Sequence, residues 1–140
     1  MYEDYTRQAL PSKEYRELLG TAICIFNSNN QFIIENILEI NNSSYNWLDL
    51  TDQMSGTLLN SIKATITNKF NEEIADMFDA LTFKRNRIVH GFQITENGEQ
   101  ILWTKEKKTH IQYAITLAYL KTFIRENELL SDKLYHIRNS

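Results

Sequence analysis

One hundred and forty residues suffice for one domain, 1–140, that buries roughly 68–70% of the surface its unfolded chain exposes. With 42% hydrophobic and 24% charged residues the composition is ordinary globular material, neither disordered nor membrane-like. The net charge of −3 conceals a gradient: residues 1–83 carry five Lys/Arg against twelve Asp/Glu, and residues 84–140 carry ten against six. A basic second half is a hint of contact with a polyanion. No apolar run approaches the roughly 20 residues that cross a bilayer, and Met1-Tyr-Glu-Asp-Tyr lacks the layout of a signal peptide. A lone Cys24, expected in the core, fits a reducing, cytoplasmic setting with no membrane contact.

The first predicted element is helical. Ser12 stands where an N-cap belongs, and Tyr15, Leu18, Leu19, Ala22, Ile23 and Phe26 step by three and four. Asn27-Ser28-Asn29-Asn30 reads as a kink, a short loop or a polar patch before Ile33, Ile34, Ile37 and Ile40 resume the pattern. Residues 12–40 are thus one long helix or two in line. Asn41 to Ser44 reads as a turn, Trp47, Leu48 and Leu50 as core anchors, and about 52–67 as a helix.

A helix over 71–90 follows, capped by Asn68 or Asn71, with Glu72 and Glu73 in a dipole-favoured first turn. Its buried stripe is Phe70, Ile74, Met77, Phe78, Leu81 and Ile88, joined in one version by Val89, and Gly91 should end it in a left-handed C′ conformation. Alternation around Asn97-Gly98 then predicts a β-hairpin at about 92–104. Thr109-x-x-Gln112 has the form of a capping box for a final, central helix whose residues Tyr113 to Ile124 are apolar on almost every side. The expected fold is all-α, a four- to five-helix bundle with a small β-hairpin insertion.

Phosphate loops, G-x-S-x-G and H-E-x-x-H are absent, and His90, His110 and His136 lack short-range metal-ligand partners, so no metal or cofactor is expected. One segment concentrates chemistry: Phe83-Lys84-Arg85-Asn86-Arg87-Ile88-Val89-His90. At about 100° per residue Asn86 and His90 share a helix face, while Arg85 lies about 140° from His90. The polar set is expected to look outwards or towards a partner subunit.

An imidazole can accept a proton from a ribose 2′-hydroxyl or protonate the leaving oxygen, and a guanidinium fork can hold charge developing at phosphorus. Asn86 can fix the imidazole tautomer or hold a phosphate oxygen. Lys84, Arg87, Lys105, Lys107 and Lys108 can track an RNA backbone. Read differently, the segment is a basic helix end whose arginines pair with surface carboxylates while His90 bonds the last carbonyls.

Arg85-Asn86-x-x-x-His90 resembles the R-x4-6-H motif of the HEPN superfamily, all-helical domains of prokaryotic toxins, phage-defence proteins and CRISPR effectors. The resemblance implies a metal-independent endoribonuclease, active as a homodimer with the two motifs facing each other. It implies Arg85 and His90 as catalytic residues and Asn86 as supporting. The implied partners are RNA and an antitoxin or regulatory protein. The alternative is a HEPN-like module that binds RNA or a protein without cutting. The sequence departs from one branch of the family at Phe92, where a modifiable Tyr stands two residues after the His.

Overall fold

The structure is a computed structural model that describes residues 1–138. Helix α1 runs unbroken over Lys13–Ile40, its first turn capped by Ser12 Oγ, which accepts the Tyr15 amide. Asn27 to Asn30 are therefore a polar patch on a continuing helix, not a break. Within that patch Asn29 is buried, donating to the carbonyl and side-chain oxygens of Asn127. Two shorter helices follow, α2 at Trp47–Thr51 and α3 at Ser55–Ile62, the latter continued by a π-helical turn at Lys63–Thr67.

Leu50 is the buried member of the expected anchors. Trp47 and Leu48 are exposed, because α2 is one turn long and presents only one side chain inwards. Helix α4 spans Glu73–Val89, with the Glu73 amide bonded to Asn71 Oδ1.

The fold is mixed rather than all-α. Strands β1, Phe92–Glu96, and β2, Glu99–Lys105, form the hairpin, with positive φ at both Asn97 (52°) and Gly98 (78°), as a two-residue primed turn requires. A third strand, β3 at Gln112–Ile115, then pairs antiparallel with β2, giving the order β1-β2-β3. The helix expected from Thr109 begins instead at α5, Leu117–Arg138, with Thr116 Oγ1 accepting the Tyr119 amide. Tyr113 to Ile115 are strand because β2 offers a ladder that the local pattern does not reveal. Thr109 serves the β2–β3 loop, where its hydroxyl binds Glu106 and accepts the Ile111 amide.

Gly91 does not end α4 by a left-handed turn, since positive φ among the described residues is confined to Asn97, Gly98 and His110. A Cβ at Gly91 would stand 3.2 Å from both the Ile88 and Trp103 carbonyl oxygens, so glycine lets α4 pass close to β2. Val89 and Cys24 are exposed, Val89 because the helix end overhangs the core. Among the described residues no helix is long and apolar enough to cross a membrane.

The bundle centres on α1, α4 and α5, whose rings Phe26, Phe78 and Phe123 are buried and stacked. The sheet is bound to this bundle by Tyr15. Its buried hydroxyl donates to the Ile115 carbonyl at 2.6 Å and accepts the Leu102 amide at 3.1 Å, bridging β3 and β2. Tyr15→Phe strands both backbone groups and should cost about 1–3 kcal/mol in urea denaturation, with helix content unchanged.

Burial holds Tyr15, Tyr113 and Tyr119 above the ordinary tyrosine range. A raised folded pKa means that the stability gained by keeping these phenols neutral is complete below about pH 10, the unfolded value. It is lost as the pH rises beyond that. Alkaline unfolding should therefore coincide with a rise in tyrosinate absorbance.

Candidate functional site

Helix α4 gives each residue of the basic segment a different neighbourhood. Its buried face is defined by Ile74, Phe78, Leu81 and Ile88, and Arg85 falls about 20° from Phe78 on that face. Arg85 is accordingly half-buried rather than outward-facing. Its guanidinium lies over the Phe26 ring at 4.9 Å, donates from Nε to Asn86 Oδ1 at 3.0 Å, and from Nη2 to Ser55 Oγ at 3.1 Å. Both acceptors are neutral. Burial is what pulls its pKa below the ordinary arginine value.

Arg85 and Asn86 open onto a cleft of about 340 Å³ between α1, the start of α3 and α4. Asn27, Asn30, Gln53, Ser55 and Thr82 complete its polar lining, and no carboxylate lines it. Helix α3 begins there with no side chain capping its first amides, so its dipole adds positive potential. A cationic fork, amide donors and a helix N-terminus converge on one concave surface, which suits an anion with several oxygens.

His90 is the C-cap of α4, exposed, with its amide bonded to the Asn86 carbonyl at 3.0 Å. It is not among the residues lining the Arg85 cleft, as its angular offset from Arg85 requires. Asn86 lies between them, lining the cleft and standing one turn before His90.

The remaining cations divide. Arg87 is buried, donating to the Lys105 carbonyl and lying 5.9 Å from the Phe83 ring, so it ties α4 to the end of β2 instead of facing a ligand. Lys84 pairs with Glu126 of α5. Lys105, at the end of β2, and Lys107 and Lys108, in the β2–β3 loop, are exposed. Sequence reasoning missed Asn27, Asn30, Gln53 and Ser55. For Asn27 and Asn30 the signal was the asparagine run in a helix otherwise patterned for burial; no sequence signal marks Gln53 or Ser55. Comparison with protein-family models, curated proteins and solved structures finds no match to this chain.

If the cleft takes an oxyanion, inorganic phosphate should raise thermal stability, by about 2.7 kcal/mol at a hundred times its Kd. Arg85→Met should abolish that response. Arg87→Met should keep the response while lowering stability, because it removes the part-buried hydrogen bond to the Lys105 carbonyl. A phosphate effect that survives in Arg85→Met would refute the assignment.

Proposed function

We propose that the chain is a metal-independent, HEPN-type endoribonuclease acting as a homodimer, of the kind found in toxin and phage-defence systems. The observation that carries this reading is Arg85, a half-buried guanidinium whose partners are neutral, in a carboxylate-free cleft beside Asn86. In this mechanism Arg85 holds the scissile phosphate and stabilises charge as the ribose 2′-oxygen attacks phosphorus. The 2′-hydroxyl loses its proton to an imidazole, the 5′-oxygen leaves with a proton from another, and a 2′,3′-cyclic phosphate remains.

Each chain supplies one His90, about 140° around α4 from its own Arg85. A two-fold axis near the end of α4 would bring two imidazoles and two guanidinium forks to one cleft. Lys105, Lys107 and Lys108 would then attract the flanking RNA backbone. The second reading, a HEPN-like module that binds RNA or a protein without cutting, is favoured by His90 lying outside the Arg85 cleft.

RNA cleavage separates the two readings. The nuclease reading expects chelator-resistant cutting that leaves DNA intact, a loss of about 10²–10⁴-fold in His90→Ala, and a comparable loss in Arg85→Lys, which keeps the charge but not the fork. No cutting by the wild type, or full activity in His90→Ala, would overturn it. Equal mixing of wild-type and His90→Ala chains should leave about one quarter of the activity if both imidazoles are needed, because random pairing leaves that share of wild-type dimers. Independent sites would leave about half.

A further inference from the structure

On the side of α4 away from the Arg85 cleft, α4 and α5 run antiparallel and leave a second concavity. A cavity of about 680 Å³ lies between Phe70 to Met77 and Leu129 to Ile137, and another of about 310 Å³ lies between Asp76 to Leu81 and Glu126 to Leu129. Met77 and Leu129 line both, so the two form one trough. Its floor is apolar, with Ile74 and Leu81 beneath and Leu129 54% exposed. At 1.5 Å per residue it runs roughly 12–16 Å along the helices, two to three helical turns.

The rim identifies the occupant. Glu73, Asp76, Glu126 and Asp132 line the trough against Lys133 and His136. Glu73 is paired with Lys133 and Glu126 with Lys84, while Asp76 and Asp132 are exposed and form no ion pair among the described residues. We infer that the α4–α5 trough docks an amphipathic helix of a partner protein, its apolar stripe on Met77 and Leu129 and its Lys or Arg residues against the acidic rim. An apolar face at i, i+4 and i+7 matches a trough of this length. A nucleic acid is excluded from it by the sign of the rim charge. The inference does not rest on ribonuclease activity, since the trough and the Arg85 cleft lie on different sides of α4.

The test uses the full chain and a labelled synthetic peptide of about four helical turns, with leucines at i, i+4, i+7 and i+11 and flanking lysines. A control peptide carries glutamates for the lysines. Fluorescence anisotropy should give saturable binding of the lysine peptide, weakened by added salt, and at least tenfold weaker or no binding of the glutamate peptide. Leu129→Arg and Asp76→Lys, both at exposed positions, should each weaken binding at least tenfold while circular dichroism stays unchanged. No binding, equal binding of the two peptides, or binding untouched by both variants would overturn the inference. So would a dimer of the chain alone that Leu129→Arg splits into monomers, because a second copy would then fill the trough.

Discussion

Three phenylalanine rings hold the molecule together where its long helices meet. Phe26 of α1 stacks on Phe78 of α4 at 5.8 Å between centroids and on Phe123 of α5 at 6.2 Å, all buried. Such pairs contribute about 0.5–1.5 kcal/mol each beyond the area they bury. Their larger effect is geometric. Phe26 is also the ring beneath the Arg85 guanidinium, so one side chain sets both the helix packing and the height of the cation in its cleft. Displacing α1 relative to α4 would move Asn27 and Asn30 away from Arg85 and uncover the ring that supports it.

Most of the helical frame was legible in the sequence, and the sheet was legible only in part. The apolar spacing from Tyr15 to Ile40, with Ser12 as cap, corresponds to α1 because a long amphipathic stripe is a local signal. Asn97-Gly98 is local too, since a primed turn demands positive φ at both positions. Strand β3 is not local. Gln112 to Ile115 are strand because Lys105 to Leu102 lie beside them, and Tyr15, a hundred residues before Ile115, completes the seam. Burial followed the same division: Arg87 reads as a surface cation until the Lys105 carbonyl is found against it. The candidate site was half legible. Arg85, Asn86 and His90 stand out within one segment, whereas Asn27, Asn30, Gln53 and Ser55 come from elements that only the tertiary fold assembles.

Helix α4 meets three environments around its circumference. Ile74, Phe78, Leu81 and Ile88 face the core, Asn86 and Thr82 border the Arg85 cleft, and Met77 and Ala80 border the acidic trough with α5. The charge gradient along the chain carries over only in part. The rim of the trough takes Glu73 and Asp76 from the acidic half but Glu126 and Asp132 from the basic half, which also supplies the exposed lysines of the β2–β3 loop. Lys84 neutralises one rim carboxylate, Glu126, whereas Arg87 is held by a backbone carbonyl, and Asp76 and Asp132 form no ion pair among the described residues.

Arg85 is the one residue of the α4 core stripe that packing alone does not explain. A leucine at this position would continue the line of Ile74, Phe78 and Leu81 at no desolvation cost. The guanidinium is desolvated, and an attraction to Phe26 worth about 0.5–2 kcal/mol offsets only part of that cost. Bonds to Asn86 and Ser55 use two of the five donors of the fork and bring no opposite charge. A carboxylate in the lining would balance the site and close it to anions, and there is none. What remains is a cation held on a rigid helix, supported from below by an aromatic ring, with donors left facing a polar opening. A local departure from good packing at a concave, polar position is where folded chains keep functional groups. The exposed imidazole at the end of the helix shows no such departure: it lies outside the cleft, where exposure carries no desolvation cost.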